Sequence, residues 1–191
     1  MKSIPLLLLV SLLSSSFVSA QPAPQPPSSS PAWRPSQKTD AAATYTYTRF
    51  TLLGTFAGAP HDPTSNAPAL VVDCIPGKGP NPPRGKLLAA TLLVGTSLKI
   101  VYVEPEEIRG MSYNPKVALQ FHTDDAKADK AEQWAAAADK SAAAIPEDSL
   151  KDILRAHRVA ITADDDHGSQ VAMRFDMPDP SAVEQGCNLN P

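Results

Sequence analysis

Apolar residues recur at every second position in several short stretches of this chain, the period that sets one face of a strand on a core. Thr44 to Leu53 (TYTYTRFTLL) is rich in Thr and aromatic residues, and Leu70 to Cys74 is a short apolar run ending at a cysteine. Leu87 to Val94 and Leu98 to Val103 follow, and then Val117, Leu119 and Phe121 alternate with Ala118, Gln120 and His122. Turn-rich loops separate them, such as PGKGPNPPRG from Pro76 to Gly85. Near the C-terminal end, Val159 and Ile161 share one face of His157–Thr162, and Val171, Met173, Phe175 and Met177 share one face of Gln170–Met177. The ADDDHGS between them predicts a β-hairpin with Asp164, Asp165, Asp166, His167 and Gly168 at its tip.

The period changes to that of a helix over Pro146 to Ala156, where Leu150, Ile153 and Leu154 fall on one face. Pro146 suits the first turn, Glu147 and Asp148 the positive N-terminal end, and Arg155 the negative C-terminal end. Glu147 and Lys151 form an i,i+4 pair in the favoured order. This helix is expected to lie over the sheet. Ala126 to Ala144 (AKADKAEQWAAAADKSAAA) is less clear: alanine has the best helix propensity, yet Trp134 is the sole large apolar residue before Ile145, so no stripe exists to dock a helix. The pattern as a whole predicts a mainly β domain over 44–191, a small antiparallel β-sandwich or curved sheet with one main helix.

The N-terminal end reads differently. Lys2, the apolar run Pro5–Val10 with Leu12 and Leu13, and Val18-Ser19-Ala20 have the three-part order of a secretory signal peptide over 1–20. The run falls short of the roughly 20 residues that span a bilayer, and no later stretch is long and apolar enough to do so. Residues 21–43 begin QPAPQPPSSSPAWRPSQ, a Pro- and Ser-rich composition without apolar period, and are read as a flexible linker. Pro24 and Pro27 form a P-x-x-P whose usual reader domains are not expected outside the cytoplasm. The expected address is periplasmic or secreted.

Composition adds two constraints. The net charge of −3 gives no ground for a nucleic acid or an anionic membrane as partner. Cys74 and Cys187 are the two cysteines, and an even count in an exported chain favours a disulfide over free thiols. A metal pair or a redox pair is the competing reading, but their separation matches neither C-x-x-C nor a four-ligand zinc pattern.

The order of these landmarks resembles that of the VasI-like periplasmic proteins associated with type VI secretion. The residues that carry the resemblance are Pro68-Ala-Leu-Val-Val-Asp-Cys74, Gln133-Trp134, the helix Pro146–Ala156, the apolar strand Val171–Met177 and the closing segment Ser181–Cys187. It spans roughly residues 68–187 and contains no catalytic motif. The resemblance implies a short strand at Gln133 and Trp134, with the alanines at its end and in the loop beyond. It further implies a short C-terminal helix over Ser181–Cys187, and it supports pairing Cys74 with Cys187. The chain departs from the pattern in its Pro-rich leader, its Ala-rich stretch and the region Leu87–Asn114.

A search for chemistry returns little. His61, His122, His157 and His167 have no metal-ligand spacing, and the acidic hairpin tip lacks the alternation and distal Glu of an EF-hand loop. There is no G-x-S-x-G, no Gly-rich phosphate loop and no triad spacing. Glu104, Glu106 and Glu107 read as a solvated loop, because adjacent carboxylates on an extended chain point apart. Trp134, with Tyr102, Tyr113 and Phe121, is either core or a recognition patch, and Trp33 beside Arg34 in the linker is a candidate anchor for a partner. No catalytic residue, cofactor or metal is assigned. The expected function is a non-catalytic protein-binding domain of the cell envelope or of secretion, with another envelope protein as partner. The alternative is an exported hydrolase whose site is assembled from scattered polar residues.

Overall fold

The computed structural model describes residues 30–42, 45–58, 66–77, 85–101, 115–124, 126 and 128–189. Residues 1–20, read from sequence as a signal peptide, residues 21–29 of the Pro-rich leader, His61, and the stretch holding Tyr102, Glu104, Glu106, Glu107 and Tyr113 lie outside them. Among the described residues are eleven strands and two helices. In chain order they are β1 (Arg34–Asp40), β2 (Tyr45–Leu53), β3 (Thr55–Phe56), β4 (Ala69–Ile75), β5 (Lys86–Leu93), β6 (Ile100–Val101), β7 (Lys116–Thr123), β8 (Lys130–Ala136), β9 (Ala142–Ala144), α1 (Glu147–Arg155), β10 (Arg158–Asp164), β11 (Gln170–Asp176) and α2 (Ser181–Cys187). The strands form one curled antiparallel sheet, a half-barrel, in the order β1-β2-β4-β5-β9-β8-β7-β10-β11-β3, with β6 paired to β7 off that path. All of them belong to one unit, Pro31–Pro191. The curved-sheet expectation holds, and so do the main helix, the final short helix and the terminal hairpin.

Alternation decides which face is buried. Phe50 and Leu52 of β2, Leu70 and Val72 of β4, Leu92 of β5, Val117, Leu119 and Phe121 of β7, Val159 and Ile161 of β10, and Met173 and Phe175 of β11 all turn into one core. Leu150, Ile153 and Leu154 of α1 and Val183 of α2 join the same cluster, so both helices complete the concave side. Burying an aliphatic or aromatic side chain of this size contributes about 1.5–3 kcal/mol. The strand-helix order therefore follows from where the apolar period is 2 and where it is 3.6.

The curl brings the two ends of the strand order together. β2 lies near the beginning of that order, yet it runs through the single residue Gly54 into β3, which pairs with β11 at the far end through Phe56↔Met173 and Thr55↔Arg174. Ala57 N–H donates to Ala172 O at 2.7 Å, extending that pairing, while Gly54 N–H donates to Pro68 O at 2.8 Å. A Cβ on Gly54 would stand 2.5 Å from the Phe175 ring and 2.7 Å from the Arg174 carbonyl oxygen. The absence of a side chain there lets one continuous segment reach both ends of the sheet.

Two strands stand where composition argued otherwise. β1 occupies Arg34–Asp40, within the 21–43 stretch read as linker, in register with β2 from Arg34↔Thr51 to Asp40↔Tyr45. Six of its seven residues are exposed, so its place depends on backbone pairing and leaves no alternation to read. The Ala-rich stretch is not helical: β8 runs through Gln133 and Trp134 as the resemblance implied, and Ala142–Ala144 forms β9 instead of loop. Pairing with β5 (Thr91↔Ala144, Leu93↔Ala142) and with β8 (Ala135↔Ala144) outweighs alanine's helix propensity. The turn between β8 and β9 is closed by Lys140 N–H to Ala137 O at 3.0 Å, with Lys140 at φ 60°.

Candidate functional site

Cys74, near the end of β4, and Cys187, the last residue of α2, are joined in a disulfide at a sequence separation of 113, with their Cα atoms 4.9 Å apart. Both are buried. The bond holds α2 against β4 and β5, where a Cβ on Gly85 would run into the Gly186 carbonyl oxygen. Asp179 steadies the start of that helix: its Oδ1 accepts the Ser181 hydroxyl at 2.6 Å and the Ser181 N–H at 3.0 Å. These two bonds, the hydroxyl's first, hold the Asp179 carboxyl below the usual carboxylate range against a smaller opposing effect of desolvation.

Trp134 lies on the inner face of β8, 1% exposed and tilted against Phe121 with ring centroids 6.0 Å apart. This pair is core. Glu132, two residues earlier on the same face, accepts the Trp134 indole N–H and the Ser149 hydroxyl, each at 2.6 Å on Oε2. Ser149 is buried on α1, and Lys130 of β8 meets Asp152 of the same helix. Lys130, Glu132 and Trp134 thus form one polar column that seats α1 on the sheet, and the indole's polar end has a structural partner. Trp33 departs from the reading of it as a linker residue. It stands just before β1, nine-tenths buried in the shared core, and its indole N–H has no acceptor.

The acidic hairpin tip is docked rather than freely solvated. Asp166 N–H donates to Ser97 O at 3.0 Å, Lys99 N–H to Asp164 O at 2.9 Å, and Leu98 bridges to Asp165. Asp165 is 1% exposed because its Oδ1 is spent on its own turn, accepting the N–H groups of Ser169 at 2.7 Å and His167 at 2.9 Å. His122 pairs with Asp129 at 2.9 Å on the surface, and the His157 N–H donates to Asp124 at 2.9 Å. Among the described residues no group of three His, Cys, Asp or Glu side chains is placed to hold a metal ion.

Concavities lie at the hairpin tip and on the outer face of the sheet. A cleft of about 560 Å³ lies between the hairpin tip and the loops at Asn66, Gly95–Ser97 and Ser141, and also takes in Asp139, Asp165 and Asp166. Asp139 there accepts the Ser141 N–H at 3.0 Å, so it too holds a turn. A trough of about 370 Å³ crosses the outer face of β8, β7 and β10 at Gln133, Gln120, Thr162 and Gln170. Neither brings together a nucleophile with a base in hydrogen-bond contact among the described residues.

The outer face of β2, β4 and β5 is different in kind. Leu53, Leu88 and Leu93 are 48%, 40% and 40% exposed, and they are the large hydrophobic side chains that stand out in solvent among the described residues. Leu53 pairs with Ala69, and Ala69 with Leu93, so the two leucines flank a small residue in one row roughly 10 Å across, given strands about 4.8 Å apart. Leu88 sits at the β-bulge opposite Asp73 and Cys74. Beside the row, Arg49 and Asp73 face each other in register and form a two-pronged ion pair with both contacts at 2.8 Å. Asp73's hydrogen bonds raise the Arg49 pKa, opposed by burial and aided by the Asp73 charge. Arg34 and Lys38 of β1 pair with Thr51 and Tyr47 on that same face. Sequence reasoning missed this row: an outward leucine in a strand differs from an inward one only by register. Comparison with known proteins finds no family model, no curated relative and no solved structure that matches this chain.

Proposed function

We propose that this chain is an exported, non-catalytic protein-binding domain of the cell envelope, and that its partner docks on the outer face of β2, β4 and β5. The observation that carries the reading is the row Leu53–Ala69–Leu93, two exposed leucines across a buried alanine, with Leu88 exposed roughly 16 Å further along β5. Leucines exposed singly are ordinary, whereas leucines gathered on neighbouring strands form a patch. Arg34 stands opposite Thr51, two residues from Leu53 on the same face, with Lys38 four residues further along β1, which favours an envelope protein presenting an apolar segment flanked by acidic side chains. The signal-like N-terminus and the disulfide are consistent with work outside the cytoplasm. The order of elements shared with VasI-like proteins points to a secretion-associated setting.

The test is a cross-linked pull-down from native envelope extract with the mature chain, its Leu53→Lys, Leu93→Lys variant and a Gln170→Ala control on the opposite trough. The reading expects an apolar-acidic partner retained by the wild type and the control, and reduced at least about tenfold by the double lysine variant, which keeps its circular dichroism and unfolding midpoint. Retention should fall as salt rises, through loss of the Arg34 and Lys38 contribution. Capture unchanged by the lysine substitutions, or no capture at any salt, would overturn it.

A further inference from the structure

The cleft at the β10–β11 tip is walled by loops that are fastened to one another. Val94 N–H donates to Ser141 O at 3.0 Å, Leu98 N–H to Lys140 O at 2.9 Å, and Asp166 N–H to Ser97 O at 3.0 Å. The Gly95–Ser97 loop is thereby tied to the β8–β9 turn on one side and to the hairpin tip on the other. Asn66 closes a further side: Gly95, at φ 76°, lies so near it that a Cβ would stand 2.2 Å from the Asn66 carbonyl oxygen. The space of about 560 Å³ is held open by these bonds and has the size of small-molecule sites, roughly 300–1,000 Å³.

The lining selects among ligands. Among the described residues no Lys or Arg side chain lines the cleft, which disfavours an anion, and no aromatic ring does, which leaves a flat aromatic molecule without a stacking partner. Part of its acidity is already engaged, since Asp165 Oδ1 accepts two N–H groups of its own turn and Asp139 Oδ1 accepts the Ser141 N–H. Thr96, Ser97 and Asn66, in contrast, make no side-chain hydrogen bond among the described residues, and each can both donate and accept. Leu93, 40% exposed, adds an apolar wall. We propose that this cleft binds a neutral saccharide. A sugar hydroxyl donates and accepts at once, so it matches Thr96 and Ser97 in either direction and donates to the Asp166 carboxylate, while the C–H face of the ring covers Leu93. An organic cation would use the carboxylates and leave two hydroxyls and an amide unmatched. The site is distinct from the protein-docking row, with which it shares Leu93.

Calorimetric titration of the mature chain with maltotriose and with the N-acetylglucosamine trimer tests this. The proposal expects a saturable isotherm at millimolar sugar with at least one of the two. A Thr96→Val, Asp166→Asn variant removes one hydroxyl and one charged acceptor while keeping the Asp166 N–H to Ser97 bond, and should raise the Kd about tenfold or more. Ser97→Ala alone should raise it about threefold, and the circular dichroism of both variants should stay that of the parent. Leu53→Lys lies outside the cleft and should leave the sugar Kd unchanged although it weakens partner capture, so the two readings fail separately. Absence of heat with either sugar at millimolar concentration, a Kd indifferent to both cleft variants, or saturable binding of spermidine in place of the sugars overturns the proposal.

Discussion

Glu132→Ala is the substitution that tests how α1 is held. One carboxyl oxygen accepts both the Trp134 indole N–H and the Ser149 hydroxyl at 2.6 Å, and both donors are buried, 1% and 5% exposed by residue. Removing the acceptor leaves two buried donors unpaired, at about 1–3 kcal/mol each. Glu132 itself is only half-buried, so water entering its place recovers part of this, and a net loss of about 2–4 kcal/mol is expected. Urea unfolding followed by far-ultraviolet circular dichroism measures it as a lower midpoint with unchanged slope. Ser149→Ala separates the two bonds: it should cost less than Glu132→Ala, and the double variant should cost less than the sum by about 1–2 kcal/mol, because the hydroxyl has no acceptor to lose once Glu132 is gone. A Glu132→Ala loss below about 1 kcal/mol, or strict additivity with Ser149→Ala, would refute the view that this carboxyl is what seats the helix on the sheet.

Three further outcomes are expected. Replacing Cys74 and Cys187 with Ala opens a loop of 113 positions, for which chain entropy allows up to about 5 kcal/mol, read as the difference in urea midpoint from the oxidised parent. Gly54→Ala should destabilise by about 1–3 kcal/mol, although Ala in an ordinary strand position would stabilise, since its methyl would meet the Phe175 ring and the Arg174 carbonyl; a neutral or raised midpoint contradicts the close approach. Asp179 has its pKa lowered in the folded state by Ser181, so the stability it contributes is present above its unfolded pKa and is lost as pH falls through the depressed folded value. An acid titration of the unfolding midpoint should therefore be shallower in Asp179→Ala than in the parent.

Much of this fold is legible in residue order because its inner face is written in alternation. β2, β5, β7 and the β10–β11 hairpin send alternate side chains into the core, β4 is buried on both faces from Ala69 to Cys74, and α1 switches to a period of 3.6 at Leu150, Ile153 and Leu154. What escapes a local reading is held by distant partners. β1 has no buried face of its own, β3 is two residues long, and β9 is three alanines; each is a strand because of what pairs with it. Trp33 read as a candidate anchor for a partner in a Pro-rich leader, and the core that takes it up is assembled from segments far along the chain. The exposed leucines were hidden for a related reason. Leu88 and Leu93 sit in KLLAATLL among leucines that do face inward, and the bulge at Asp73/Cys74 decides which are left outside.

The disulfide also sets an order of events. Cys187 follows all eleven strands in sequence, so a chain emerging from its N-terminal end presents Cys74 long before the thiol that will pair with it. During that interval β4 is available for pairing, while the helix that packs beside it has yet to appear. Until α2 is made, strand register rests on backbone pairing and apolar packing, and the covalent bond closes when the C-terminal helix lies beside β4. With two cysteines in the chain, Cys74 has one intramolecular partner, so an oxidant acting early can cap it or join it to another molecule but cannot misthread this fold.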